Sequence, residues 1–178
     1  MPTRHEVRLC GFGGQGIVLA GYIIGQAATV HEGLNAVFTQ DYGPEARGGA
    51  CRADIIISDR PVLYPYIETP TVLVAMSQAA FEKYFPGASD STTVIIDEDL
   101  VSPPGATTGR VVRMPARRIA EELGRVAVAN VAMLGYLTAV TGIVSAEAMQ
   151  RSILSSVPKG TEELNTTAFK RGLAAAGG

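Results

Sequence analysis

The sequence predicts an α/β fold: a Rossmann-like, three-layer domain with a mainly parallel sheet and helices gathered toward the C-terminus. Three observations point there. Short apolar runs of strand length alternate with helix-length patterns along the first two thirds of the chain. Two of those runs, "ADIIIS" at 53–58 and "TVLVAM" at 71–76, are apolar without alternation, as suits strands buried on both faces of a parallel sheet. A glycine-rich turn, "CGFGGQG" at 10–16, stands between the first strand and the first helix.

The elements follow in order. Residues 5–10 form a strand ending at that turn, and residues 15–31 form a helix apolar on nearly every side, with Gly33 as its stop. Residues 36–39 make a second strand, followed by a polar loop and then the two apolar strands. Ser77 caps a short helix over 79–85, which Pro86–Gly87 ends. Strands at 93–96 and 110–113 flank the turn-rich "SPPGATTG". The last third is helical: 116–124, the apolar 130–141, 145–155 with Ser145 as its cap, and 161–175 after the Pro158–Gly160 break. No repeat or linker divides the chain, so residues 1–178 read as one domain.

Composition narrows the function classes. The chain is 47% hydrophobic and only 18% charged, which leaves little polar material for the surface and favours burial against a partner. A net charge of -2 with no basic cluster beyond Arg117–Arg118 gives no footprint for nucleic acid. The most apolar segment, 17–30, is shorter than the roughly 20 residues of a membrane span and contains Gly21, Gly25 and Gln26. No leader-like segment opens the sequence, and a cytoplasmic location is expected. Two cysteines, Cys10 and Cys51, fall short of the four thiolates of an iron–sulfur cluster and read as buried structural thiols. His5 and His31 lack a partner motif, Asp97–Asp99 reads as a solvated acidic turn, and no residue stands out as catalytic.

Two loops carry the chemistry. Gly11, Gly13 and Gly16 satisfy G-x-G-x-x-G, whose free N–H groups at a helix start can hold an anion. The acidic residue that would grip a ribose is missing from the tip of the second strand, and Asp41 in the next loop is the nearest candidate. That loop, "YGPEARGG" at 42–49, turns at Gly43–Pro44, regains freedom at Gly48–Gly49, and projects Glu45 and Arg47 between. Arg47 suits a phosphate or carboxylate, with Glu45 to orient it, or the two form a surface pair. Taken alone these residues allow a ligand or a protein partner.

Taken together, "GFGGQGIVLAG" at 11–21, "TQDYGPEARGG" at 39–49, "ADIIISD" at 53–59, Tyr64–Pro65 and "VANVAMLGYL" at 128–137 resemble the gamma subunit of 2-oxoacid:ferredoxin oxidoreductases. The second motif is closest to the branches acting on 2-oxoglutarate and related 2-oxoacids, aromatic ones included. The resemblance implies a non-catalytic subunit of a complex that converts a 2-oxoacid and coenzyme A to acyl-CoA and carbon dioxide, with electrons passing to ferredoxin or another acceptor. It implies alpha, beta and ferredoxin-like partner subunits, which hold thiamine diphosphate, magnesium and iron–sulfur clusters. The family pattern singles out Gly11, Gly13, Gly14, Gln15 and Gly16, then Gln40, Tyr42, Gly43, Glu45, Arg47, Gly48 and Gly49. Both loops are expected side by side at the carboxyl ends of the first two strands, facing the thiamine-bearing subunit or the route of coenzyme A. Two rivals stand beside this: a stand-alone nucleotide-binding dehydrogenase, and a scaffold that touches no ligand.

Overall fold

A computed structural model describes residues 3–42, 49–105 and 107–177. Six strands join in one sheet: β1 (Arg4–Phe12), β2 (Asn35–Asp41), β3 (Ala50–Ser58), β4 (Val72–Ala75), β5 (Thr93–Asp97) and β6 (Arg110–Met114). Their order across the sheet is β2-β3-β1-β4-β5-β6. The pairs β1–β4, β4–β5 and β5–β6 are parallel, whereas β3 runs antiparallel to both β1 and β2.

The placement of β3 corrects one expectation. Its unbroken apolar run suggested a parallel strand, but such a run records burial on both faces and says nothing of direction. Here β2 returns directly into β3, so the two pair antiparallel with Asp41 opposite Arg52, and β3 pairs with β1 along nine residues. The carboxyl ends of β1 and β2 do point the same way, but β3 lies between them. The carboxyl ends of β1 and β2 therefore flank the start of β3, separated by two strand spacings, about 10 Å.

Helices cover the two faces unequally. On one face lie α1 (Ile17–Gln26), α3 (Ala116–Glu122), α4 (Ala129–Thr141), α5 (Ala146–Ser156) and α6 (Glu162–Ala175), packed on Val7, Leu9, Ile55, Ile57, Val72 and Val74. On the other, α2 (Gln78–Tyr84) and Val101 cover Cys10, Leu73, Ala75, Val94 and Ile96. Alternate residues of β4 thus enter different cores, which is why its sequence shows no polar positions. The first helix begins two residues later than its pattern suggests and ends in a π turn, Ala27–His31. Ser77 and Ser145 cap α2 and α5 as expected, their hydroxyls accepting from the N–H groups of Ala80 and Ala148. Among the described residues no helix is long and apolar enough to cross a membrane.

Candidate functional site

In an open α/β sheet, ligands collect where neighbouring parallel strands send their connections to opposite faces. Here that point lies between β1, which leads to α1 on one face, and β4, which leads to α2 on the other. A cavity of about 290 Å³ opens there, lined by Phe12, Gly13, Gly14, Gln15, Met76 and Asp97 together with Leu100, Arg117 and Val126. The glycine-rich turn forms its rim. Gly11 and Phe12 still belong to β1, so the turn proper is Gly13–Gly16. Gly14 and Gly16 adopt φ of 97° and 72°, a region that L side chains rarely enter. Side chains at Gly13 or Gly14 would point into open space, so ligand can approach the backbone there. Gly16 caps α1 without a side-chain hydrogen bond, so no side-chain cap occupies the first N–H groups of that helix.

Two amides hold the turn in place. Gln15 Oε1 accepts from Phe12 N–H at 2.9 Å, and its Nε2 donates to Met76 C=O at 2.6 Å, tying the turn to the ends of β1 and β4. From the other side, Asn130 Nδ2 of α4 donates to Gly16 C=O at 3.2 Å. A Cβ on Gly11 would collide with the Gln15 amide, and one on Gly16 with the Asn130 amide. Sequence reasoning placed Gln15 among the ligand contacts; its amide is engaged in holding the turn. Asn130 was missed as a site residue, although the "VANVAMLGYL" segment that contains it had been singled out.

Asp97 forms the cavity's polar wall. It is fully buried, not on a solvated face as expected, and its carboxylate accepts from the N–H groups of Asp99 at 3.1 Å and Arg117 at 2.9 Å. Burial raises its pKa above the usual carboxylate value, against the opposing pull of those two hydrogen bonds. Only Glu98 and Asp99 sit nearer the surface, both paired to Arg118. Arg117 pairs with Glu121 at 2.7 Å, so neither arginine forms a basic patch.

The family model for pyruvate ferredoxin/flavodoxin oxidoreductase matches residues 6–175. The chain belongs to this family. Within it, 2-oxoglutarate synthase subunit KorC of Methanocaldococcus jannaschii is 49% identical over 175 residues, covering 97% of this chain and 94% of that one. Ketoisovalerate oxidoreductase subunit VorA of Methanothermobacter thermautotrophicus is 35% identical over 134 residues, 75% of this chain and 28% of that protein. Among solved structures, the gamma subunit of a keto/oxoacid ferredoxin oxidoreductase from Geobacter sulfurreducens PCA superposes with a TM-score of 0.89 at 38% identity, covering 98% of this chain and 97% of that one. The chain is a gamma subunit of a multi-subunit 2-oxoacid:ferredoxin oxidoreductase, as its motifs imply.

The second loop of this subunit is reached only at its margins. Gly43, Glu45, Arg47 and Gly48 lie outside the described residues. Gln40 is exposed on β2, the exposed Tyr42 donates its hydroxyl to Gln40 Oε1 at 3.4 Å, and the half-buried Gly49 leads into β3. Asp41 closes β2 itself and approaches Arg52 at 4.0 Å. With β3 between the strands it lies about 10 Å from the end of β1. A ribose-gripping acid belongs on the strand next to the first, so the sheet order removes the geometry of the dehydrogenase rival. Cys10 and Cys51 are buried on opposite faces of the sheet, one in each core, and burial raises both thiol pKa values. On opposite faces they do not converge, and so do not fit an iron–sulfur cluster, which requires converging thiolates. No group of three His, Cys, Asp or Glu side chains converges among the described residues. His31 Nε2 is buried and lacks a hydrogen-bond partner.

Proposed function

We propose that this subunit serves an enzyme acting on 2-oxoglutarate, and that its glycine-rich turn and the "YGPEARGG" loop guide coenzyme A to the reacting centre. The complex would convert a 2-oxoacid and coenzyme A to acyl-CoA and carbon dioxide, delivering two electrons to ferredoxin or another acceptor. Alpha, beta and ferredoxin-like subunits would complete it. Those partners would hold thiamine diphosphate with magnesium and the iron–sulfur clusters; thiamine diphosphate supplies carbanion stabilisation when bound. This chain would add no catalytic residue. Its contribution is binding and orientation.

The observation that carries the coenzyme A reading is the turn at the mouth of the β1/β4 cavity. It combines open backbone at Gly13 and Gly14, a start of α1 without a side-chain cap, and support from Gln15 and Asn130. Such a turn suits the phosphates of coenzyme A, and Arg47 of the "YGPEARGG" loop would add a bidentate donor. The choice of 2-oxoglutarate rests on relatives: identity is 49% to the 2-oxoglutarate synthase subunit and 35% to the ketoisovalerate subunit.

The test uses the assembled complex. Replacing Gly13 by Glu sets a carboxylate where the phosphates would lie, and Arg47→Ala removes the cation of the "YGPEARGG" loop. Each should raise KM for coenzyme A by about tenfold or more, with KM for the 2-oxoacid unchanged and all subunits still associated. Dissociation of the complex, or an unaltered KM for coenzyme A, supports the scaffold reading instead. Comparing kcat/KM for 2-oxoglutarate, 2-oxoisovalerate and indolepyruvate on the wild-type complex decides the substrate.

A further inference from the structure

The segment 59–71, which joins β3 to β4, is irregular but firmly anchored. Arg8 Nη2 donates to Ile67 C=O at 2.9 Å, Thr92 Oγ1 to Pro70 C=O at 2.8 Å, and Thr71 Oγ1 exchanges hydrogen bonds with the backbone of Glu6. Ile67 and Pro70 are buried, while Pro61, Pro65 and Pro70 stiffen the chain between anchors. On this rigid support stand three of the most exposed large apolar side chains of the molecule. Leu63 is 94% exposed, Tyr64 55% and Tyr66 61%. A free surface gains nothing from holding such groups in fixed positions, whereas a docking surface gains preorganisation.

Chemistry narrows the occupant. The Tyr64 and Tyr66 rings meet edge to face, with centroids 5.5 Å apart and planes at 68°. They border an open hollow of about 410 Å³ whose remaining walls are Arg4, Glu6, Glu68 and Thr69. Arg4 is neutralised by Glu6 at 2.7 Å, and Glu68 has no ion-pair partner among the described residues. The hollow thus presents aromatic rings and one uncompensated carboxylate, a combination that attracts a cation. It opens at the amino end of β1, roughly 26 Å along the strand from the glycine-rich turn.

We propose that this hollow is a second docking site of the subunit, seating a lysine or arginine side chain from another subunit of the same oxidoreductase. The cation packs in the hollow against the exposed ring surface of the Tyr64–Tyr66 pair and pairs with Glu68, while Leu63 buries its side chain against the partner. The two ends of β1 then serve different tasks: the carboxyl end faces the ligand cavity, and the amino end fastens the subunit to its complex. This site is independent of the coenzyme A reading and stands or falls separately.

Co-expression of the full chain with the remaining subunits, followed by capture at low and high salt, tests it. Glu68→Lys and the double variant Tyr64→Ala/Tyr66→Ala should each weaken retention at least about tenfold, with unchanged circular dichroism and melting of the isolated chain. Tyr64→Phe/Tyr66→Phe keeps the ring faces and should bind as wild type, and capture of the wild type should weaken as salt rises. Wild-type retention by Glu68→Lys and by the alanine pair overturns the proposal. So does equal loss with the phenylalanine pair, which would place the interaction on the hydroxyls. Dimerisation of the isolated chain that Glu68→Lys abolishes overturns it as well, because the occupant would then be a second copy.

Discussion

Asp97 shows how a single residue changes meaning between sequence and structure. As the first of three acidic residues it reads as solvated, yet the register of β5 carries it beneath the start of α3, where it accepts two backbone N–H groups. Removal from water favours its protonated form, so the folded state retains that proton to higher pH than the unfolded chain does. The stability linked to that proton is fully present below the ordinary carboxylate pKa, about 3.9. It is lost as pH rises from there toward the raised value. The difference in unfolding free energy between the wild type and Asp97→Asn should therefore shift against the wild type as pH climbs above the ordinary carboxylate value of about 4. Urea titrations at several pH values measure this, and parallel stability curves would refute it. The turn residues teach a related lesson. The glycines were legible because turn geometry demands them, but the division of labour between Gln15, Asn130 and the open backbone depends on which strand ends come together.

At the scale of elements, α4 and α6 pack backbone against backbone. Every residue from Ala129 through Thr138 is buried, which explains why α4 has no polar face in the sequence. Contact is possible because Gly135 lies against the backbone of Phe169 and Leu173, and Gly172 against the carbonyl of Ala132. Only a glycine leaves room for backbone to meet backbone in this way. Gly172→Ala would drive a methyl group into the Ala132 carbonyl, and overpacking of this kind costs about 1–3 kcal/mol or more. The corresponding fall in urea midpoint, with no change in its slope, is the expected result. An unshifted midpoint would mean that the helices separate at no cost. Helix existence, the Ser77 and Ser145 caps and approximate ends were readable from the sequence, since periodicity and capping are local. The partner of each helix face was not.

Across the whole molecule, one buried ion pair links three parts of the fold. Arg8 of β1 grips Asp54 of β3 through two hydrogen bonds of 2.8 Å and reaches on to the carbonyl of Ile67. Both side chains are more than nine-tenths buried. Removing one partner strands the other charge away from water, so Asp54→Ala should cost about 3–5 kcal/mol. The double replacement Arg8→Met/Asp54→Leu should recover most of that loss, because no buried charge then remains unpaired. A double-mutant cycle by chemical denaturation measures both. If the two single losses simply add, the pair is not coupled. The pair also anchors segment 59–71, so Asp54→Ala should loosen subunit docking as well.

The sequence by itself determined the α/β class, the approximate strands and helices, the glycine-rich turn, the family, and the likeness to a subunit that works in company. These depend on local periodicity, turn chemistry and motif order, all of which are written along the chain. Tertiary structure decided that β3 lies antiparallel between β1 and β2, and that the carboxyl ends of those two strands are spread apart by it. It also decided that Asp97 is buried, that Asn130 supports the turn, and that Tyr64, Tyr66 and Glu68 share one hollow. The physical reason is common to all of these. Strand order, strand direction and the meeting of distant side chains arise from how connections cross the sheet, and an apolar run records only that a residue is buried, never beside which neighbour.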